Sequence, residues 1–295
     1  MERKKASDFP PEVLRIFDGY VHGSISRREF LDKAARYAAG GVTAAALLEA
    51  LSPNFAWAQQ VKPDDARIQA ERVSYPSPKG SGTMKGYLAR PAKGGKQPGV
   101  VVIHENRGLN PYIEDVARRL AAAGYVAFAP DALTPAGGYP GNEDQAREMF
   151  AKLDSGKRTE DLIAGYDALK GRPECNGKIG VTGFCFGGGI AGLMATRIPE
   201  LKCSAPFYGE QPSAADTAKI KAALMIHYAS EDPRINAGWP AWEEALEANK
   251  VNYKMYMYPN TQHGFHNDTT PRYDEAAAKL AWQRTMDFFD LHLRG

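Results

Sequence analysis

A cysteine at the apex of a glycine-rich turn is the residue of this chain best suited to chemistry. The run Gly183-Phe184-Cys185-Phe186-Gly187 follows a β-like segment at 178–182 and leads into a small-residue helix pattern at 188–195. Where a strand turns sharply into a helix, the residues two before and two after the apex must be small, because the two backbones approach too closely for a Cβ. This is the pattern of a nucleophile elbow, G-x-S-x-G, with cysteine in place of serine. A thiol there can become a thiolate nucleophile, since a helix N-terminus lowers its pKa.

The same stretch allows two other interpretations. Gly187, Gly189 and Gly192 also match G-x-G-x-x-G, which is typical of dinucleotide-binding turns. In such turns the first glycine follows the strand directly, whereas residues 184–186 intervene here. The other alternative is a buried structural cysteine. The partners of Cys185 therefore decide between these hypotheses.

An acid and a histidine follow later strand-like segments in the order that a nucleophile would need. Asp232 comes after the apolar run 222–229, and His263 comes after the alternating run 251–258. The order nucleophile, acid, histidine is that of α/β hydrolases, and parallel strands bring their carboxyl ends to one edge of a sheet. Taken singly, Asp232 is also typical of a turn before proline and His263 of an ordinary loop. Together with Cys185 they favour a catalytic site.

Two more motifs join these, namely His104-Glu105-Asn106-Arg107-Gly108 after the first central strand and Phe207-Tyr208-Gly209. With them the chain resembles the dienelactone hydrolase family, the carboxymethylenebutenolidases and their relatives, over roughly residues 66 to 295. The resemblance implies that Cys185 is the nucleophile, His263 its base and later proton donor, and Asp232 the residue that orients His263. It also implies that Glu105 contacts the resting thiol, and that the backbone amides of Phe186 and Asn106 form the oxyanion hole.

The resemblance further implies hydrolysis of a small carboxylic ester or lactone through a covalent thioester. Asn267 stands where the lactone-specific enzymes carry an arginine that anchors the substrate carboxylate, so the dienelactone itself is not the expected substrate. Arg147 and Arg272 are candidates to replace that arginine, and Tyr208 and Phe265 are candidates for an apolar wall. The open alternatives are a thioesterase or peptidase that uses the same elbow, or a binding protein without turnover.

The remaining pattern predicts a doubly wound α/β-hydrolase fold with helices on both faces of a mostly parallel sheet. A hairpin over 72–75 and 82–89 is expected at the sheet edge, and strands at 99–103 and 125–130 flank a helix marked by Ile113, Val116 and Leu120. The final helix is expected over 276–293. Too few residues separate Phe207 from Met225 for a large cap domain.

Composition excludes some functions and leaves others open. A chain of 295 residues with 43% hydrophobic and 24% charged residues can bury one large core, and its net charge of +2 gives no electrostatic case for binding nucleic acid or an anionic membrane. We expect no cofactor, and His104, His263 and His266 do not show the spacing of a metal site. Cys175 and Cys203 are expected to be free thiols, and a disulfide between them is the alternative. The sequence leaves open whether the protein is a monomer or a homodimer.

The N-terminal residues 1–58 are predicted to be separate from the catalytic domain at 59–295. Ser26-Arg27-Arg28-Glu29 precedes an uncharged stretch at 37–48, and the bond between Ala58 and Gln59 is a plausible cleavage site. This pattern predicts a twin-arginine signal that exports the protein to the periplasm. The stretch is too short to insert stably in a membrane. The alternative is a cytoplasmic protein that keeps a helical arm, with an amphipathic helix near Val13, packed on the catalytic domain or on a second subunit.

Overall fold

A single sheet of eight strands organises the protein. The computed structural model describes residues 4–38, 42–57 and 59–295. The strands are β1 (Ile68–Ser77), β2 (Gly82–Pro91), β3 (Gln97–Ile103), β4 (Val126–Pro130), β5 (Cys175–Phe184), β6 (Cys203–Phe207), β7 (Ala223–Glu231) and β8 (Tyr253–Gln262). Their order in the sheet is β1-β2-β4-β3-β5-β6-β7-β8. Strands β1 and β2 form the predicted antiparallel hairpin, β2 pairs antiparallel with β4, and every pairing from β4 to β8 is parallel.

The helices lie on both faces of this sheet, as a doubly wound fold requires. They are α1 (Pro11–Val21), α2 (Arg27–Ala34), α3 (Ala44–Leu51), α4 (Pro111–Ala122), α5 (Glu143–Ala151), α6 (Ser155–Lys170), α7 (Phe186–Arg197), α8 (Ala214–Thr217), α9 (Pro233–Asn236), α10 (Trp239–Ala248) and α11 (Glu275–Phe289). The connection from β6 to β7 holds only the short α8. The final helix ends earlier than predicted, because the chain passes into a π-helical turn over Asp290–Arg294.

Alternate residues of the central strand β3 supply the two halves of the core. Val100 and Val102 pack with α4 and α11 on one face, whereas Val101 and Ile103 pack with α6 and α7 on the other. All four side chains are fully buried. A short β-branched run is what a strand buried on both faces needs, so the sequence pattern of β3 follows from its position.

The first three helices form an N-terminal arm with a small hydrophobic cluster of its own. Phe30 is fully buried at its centre, with its ring 6.2 Å from that of Phe17 and 5.6 Å from that of Tyr20. Helix α1 is the amphipathic helix predicted near Val13. Helix α2 begins at a capping box, in which the Ser26 hydroxyl accepts from the Glu29 amide and the Glu29 carboxylate accepts from the Ser26 amide.

Arg27 and Arg28 of the predicted export signal thus lie in α2, while export itself stays a prediction and residues 39–41 of the signal lie outside the described residues. Ala58, at the predicted cleavage site, lies outside the described residues. Within the described ranges, no helix is both long and apolar enough to cross a membrane. Cys175, Cys185 and Cys203 are all free thiols, so the alternative disulfide is not formed.

Candidate active site

Cys185 occupies the apex of the turn between β5 and α7. Its backbone has φ 55° and ψ −117°, a conformation that L-residues rarely adopt and that costs on the order of 1–3 kcal/mol. The flanking glycines are required by contact: a Cβ on Gly183 would lie 2.1 Å from the Gly187 carbonyl oxygen, and one on Gly187 would lie 2.3 Å from the Ile103 carbonyl oxygen. The surrounding packing therefore holds the thiol in a strained, defined position at the sheet edge.

His263 and Asp232 lie at the same edge. The Nδ1 atom of His263 is 2.6 Å from a carboxylate oxygen of Asp232, and both side chains are almost completely buried. Asp232 also caps α9, where a carboxylate oxygen accepts from the Ile235 amide. These contacts fix the carboxylate and leave Nε2 of His263 free to face Cys185, whose Sγ lies within 4.8 Å of a ring nitrogen of His263.

The electrostatic environment favours an ion pair between Cys185 and His263. Burial opposes the thiolate, but the positive charges and hydrogen bonds of His263 and His22 outweigh it and hold the pKa of Cys185 well below its usual value. Burial also opposes the imidazolium of His263, but the Cys185 thiolate and then the Asp232 hydrogen bond raise its pKa well above the usual value. Both shifts favour transfer of the thiol proton to His263.

Glu105, Asn106 and Phe186 surround the thiol. Glu105 is half-buried, and one of its carboxylate oxygens accepts a hydrogen bond of 2.9 Å from the Asn267 side chain. Burial and then the Cys185 charge raise the pKa of Glu105 to about 7. Phe186 is the first residue of α7, so its amide is one of the donors that an α-helix leaves without an intrahelical acceptor. Asn106 and Phe186 line the same cavity as Cys185.

The N-terminal arm covers this site, which the sequence did not predict. His22, the residue after α1, lies with Nε2 3.5 Å from Sγ of Cys185 and 3.2 Å from Nε2 of His263. The Asn106 side-chain amide donates to the Val21 carbonyl oxygen at 2.9 Å, which fixes the end of α1 over the site. A lone histidine more than 160 residues from its partner carries no local pattern, so only the folded structure locates His22.

The two candidate anchor arginines lie beneath the arm. Arg272 forms an ion pair of 3.2 Å with Asp18 and lies over the Phe17 ring, while the guanidinium of Arg147 lies 4.6 Å from the centre of the Tyr20 ring. Of these two arginines, Arg272 lines the narrow gap of about 40 Å³ that also reaches Cys185, and Arg147 does not. Arg107, to which the sequence assigned no role, borders the same gap.

The aromatic candidates lie deeper than predicted. Phe265 is fully buried among the rings of Phe207, Tyr208 and Tyr258, so it supports the site from the core and does not form a wall of the cavity. Tyr208 is also fully buried, with its ring 5.0 Å from that of His263. His266 is also buried, and its Nδ1 atom hydrogen-bonds the Tyr112 hydroxyl at 2.8 Å.

A cavity of about 350 Å³, which Glu105 does not line, opens beside Cys185. Its size lies at the lower end of the range for small-molecule sites. Most of its wall is apolar, with charged groups at the rim, and it is lined by His22, Asn106, Cys185, Phe186, Gly189, Ile190, Leu193, Glu210, Gln211, Pro212, Arg234 and Ile235.

The fold is that of the α/β hydrolases. It combines a mostly parallel eight-stranded sheet with a strand that turns into a helix through an apex residue of positive φ. The crystal structure of a putative dienelactone hydrolase from Klebsiella pneumoniae has the same fold, with a TM-score of 0.66 and 26% identity; the match covers 75% of this chain and 98% of that one.

The chain belongs to the dienelactone hydrolase family, which matches residues 84–293. Residues 1–39 match a second family, described as YqhI-like. A putative carboxymethylenebutenolidase from Synechocystis is 35% identical over 72% of this chain and 93% of its own length. The putative hydrolase fragment YghX of Escherichia coli is 60% identical over 38% of this chain and 97% of its own length. The protein is therefore a hydrolase of the dienelactone hydrolase type.

Proposed function

We propose that the protein hydrolyses a small carboxylic ester or lactone through Cys185, His263 and Asp232. The observation that carries this proposal is the strained elbow position of Cys185 beside His263. Asp232 holds His263 through a hydrogen bond of 2.6 Å to Nδ1. An activated nucleophile, its base and an orienting acid are the three parts that acyl transfer needs.

In the proposed reaction, Sγ of Cys185 attacks the carbonyl carbon and forms a tetrahedral intermediate. The backbone amides of Phe186 and Asn106 donate to its oxyanion, and one such donor is worth roughly 10²–10³ in rate. His263 gives its Nε2 proton to the leaving oxygen as the intermediate collapses to a thioester. It then takes a proton from water, which attacks the thioester and releases the acid and the Cys185 thiolate.

The cavity supports a small substrate with an apolar part. Ile190, Leu193 and Ile235 line it beside the thiol, and its volume of about 350 Å³ holds a short acyl or alkoxy group but no long chain. The arginines that line the two cavities at Cys185 are each paired already with a carboxylate: Arg272 with Asp18 of the arm, Arg107 with Glu143 and Arg234 with Glu210. We therefore infer that neutral esters and lactones are better substrates than dicarboxylic ones while the arm is in place.

A burst experiment with a short-chain p-nitrophenyl ester tests the proposal. We expect one equivalent of nitrophenolate per active site before steady turnover, and an acyl adduct on Cys185 in the intact mass. Cys185→Ala should abolish both signals while the protein stays folded, because alanine carries the same Cβ at the same φ. Cys185→Ser should be severely impaired, because a hydroxyl needs a stronger base than a thiol.

The matched control is Cys175→Ala, which removes a buried thiol on β5 away from the elbow. Turnover by Cys185→Ala close to that of wild type would refute the nucleophile. Absence of any burst across esters, lactones, thioesters and peptides would favour the binding-protein alternative, and a preference for thioesters or peptides would favour the other hydrolase alternatives.

A further inference from the structure

Three donor atoms converge at the point where the arm meets the catalytic residues. Nε2 of His22, Sγ of Cys185 and Nε2 of His263 all lie within 4.8 Å of one another. The arm supplies one donor and the catalytic domain supplies two, so the group exists only while α1 is docked.

The hydrogen bonds of the two imidazoles leave both Nε2 atoms pointing at each other. Nδ1 of His22 lies 2.8 Å from the Asp18 carbonyl oxygen, which can only accept, so this nitrogen carries the proton. Nδ1 of His263 donates to the Asp232 carboxylate. In their neutral forms both rings therefore present Nε2 lone pairs, 3.2 Å apart and beside a thiolate. Such a group needs a proton or a cation at its centre.

Two of the three separations in this group match those of a tetrahedral metal site. With bonds of about 2.0–2.1 Å to nitrogen and about 2.3 Å to sulfur, tetrahedral angles place two nitrogen ligands about 3.3–3.4 Å apart and nitrogen and sulfur about 3.5–3.6 Å apart. Two of the observed separations match, with 3.2 Å between the two Nε2 atoms and 3.5 Å between Nε2 of His22 and Sγ of Cys185. The third pair, Sγ of Cys185 and a ring nitrogen of His263, lies within 4.8 Å, so the two groups would have to move together to bind one ion. A carboxylate and a backbone carbonyl hold the far nitrogens of the rings, as is usual for metal-binding histidines.

We propose that His22, Cys185 and His263 bind a divalent metal ion of the zinc class. Two imidazoles and one thiolate suit Zn²⁺ or Co²⁺, and the cavity beside Cys185 leaves room for a fourth ligand such as water. Arg234, whose side chain is about one third exposed, donates to Nε2 of His22 at 3.0 Å, and the ion would displace this bond while Arg234 stays near Glu210. Binding releases the protons that the three groups hold.

The metal would also act on the proposed hydrolysis, and this consequence alone rests on the proposed function. A thiolate that is bound to the ion cannot attack a carbonyl, and His263 cannot act as a base while its Nε2 atom is a ligand. The ion would hold the arm closed and the hydrolase silent, and its removal would free both groups.

Cobalt spectroscopy of the full-length chain tests the site without any assay of activity. After removal of metals with a chelator, titration with Co²⁺ should give one equivalent of a near-ultraviolet thiolate-to-cobalt band together with the intense visible bands of four-coordinate cobalt. Cys185→Ser should lose the thiolate band. His22→Ala should weaken binding by more than the 10–100-fold that the loss of a partner outside the ligand set costs.

The control His292→Ala removes a histidine that packs on Phe288 outside the site, and it should bind Co²⁺ as wild type does. A spectrum without a thiolate band, or equal affinity in wild type and His22→Ala, would overturn the metal site. Because the spectra do not depend on turnover, the site would stand even if no ester were hydrolysed. If both proposals hold, Zn²⁺ inhibits hydrolysis reversibly, and His22→Ala needs more than about 100-fold more Zn²⁺ for the same inhibition.

Discussion

At the scale of single residues, Glu105 has two possible roles that its contacts keep distinct. Its carboxylate accepts from Asn267, which ties two loops together, and it also faces the Cys185 charge, which helps to raise its pKa to about 7. A carboxylate with that pKa can take a proton from a thiol near neutral pH. The resemblance to dienelactone hydrolases assigns the second role, and the hydrogen bond alone would suffice for the first.

Glu105→Gln separates these roles, because glutamine keeps an acceptor for Asn267 but cannot take a proton. We expect the acylation rate to fall by about tenfold with little change in KM, since His263 remains as a base. Stopped-flow measurement of the burst phase provides the rate. The control Asn267→Ala removes the hydrogen bond and leaves the carboxylate. An unchanged burst rate in Glu105→Gln would assign the residue to loop structure alone.

Residue spacing predicted where the acid, histidine and cysteine would lie, because each follows a strand of one parallel sheet. It could not predict His22 or the Asp18–Arg272 ion pair, since these contacts depend on how a separate segment docks. Phe265 was misplaced for a related reason. An aromatic residue beside a catalytic histidine fits a cavity wall and a core equally well by sequence, and packing against Phe207 and Tyr258 decides for the core.

At the scale of elements, the elbow depends on close contact between α7 and β3. The glycines of α7 are not equivalent: a Cβ on Gly187 would lie 2.3 Å and 2.6 Å from the carbonyl oxygens of Ile103 and His104, whereas one on Gly189 would have its nearest neighbour at 3.5 Å. Both positions are glycine in the sequence, but of the two only Gly187 leaves no room for a Cβ.

Gly187→Ala should therefore lose several kcal/mol of stability or fail to accumulate as soluble protein, because backbone atoms cannot move away from the new methyl group without shifting β3. Gly189→Ala is the matched control. It should be neutral or slightly stabilising, since alanine favours a helix interior over glycine by about 1 kcal/mol. Thermal unfolding of both variants measures the difference. Equal melting temperatures for the two would contradict the contact argument.

The strands and helices were largely predictable from the sequence. The buried strands of a doubly wound sheet are apolar runs in the sequence, and its helices show apolar residues at regular spacing. The arm was not. Helix α1 was expected as one of two alternatives for residues 1–58, yet its amphipathic pattern is equally compatible with packing on a core, on a second subunit or on nothing. Its place over Cys185 depends on polar contacts such as that between Asn106 and Val21, and the spacing of apolar residues does not predict such contacts.

At the scale of the whole molecule, a histidine buried in the core makes the free energy of unfolding depend on pH in the acid range. His227 on β7 is fully buried, with its ring nitrogens 2.9 Å from the Tyr258 hydroxyl and 3.0 Å from the Thr285 hydroxyl. Burial, and then the charge of Arg284, lower its pKa to about 3. The unfolded chain binds a proton at this residue below about pH 6.5, and the folded protein does not until about pH 3. Stability is therefore lost as the pH falls through this window.

His227→Gln should remove this contribution while keeping hydrogen-bonding groups for Tyr258 and Thr285. The difference in unfolding free energy between wild type and variant should shrink by about 2 kcal/mol from pH 7 to pH 5, because only the wild type takes up a proton at position 227 when it unfolds. Denaturant unfolding at several pH values measures it. A difference that stays constant with pH would show that His227 has the same pKa in the folded and the unfolded protein.

The location of the molecule in the cell rests on Arg27 and Arg28, and we propose that they belong to a twin-arginine signal. Changing both to lysine separates signal from structure. The start of α2 depends on Ser26 and Glu29, and a lysine at position 27 keeps the positive charge that faces Asp144, so we expect normal folding and hydrolysis in vitro. Export requires the arginines themselves, so the variant should stay in the cytoplasm. Equal periplasmic fractions of variant and wild type would contradict the signal.

Processing of the exported protein links this signal to the arm. Cleavage between Ala58 and Gln59 would remove His22 together with α1 and α2, and so would remove one ligand of the proposed metal site and the cover over Cys185. The precursor would then be silent in the cytoplasm, and the mature hydrolase would be active after export. We expect N-terminal sequencing of the active periplasmic protein to begin at Gln59. A sequence that begins at Met1 or Glu2 would mean that the arm stays on the working enzyme, and its turnover would then depend on release of the metal.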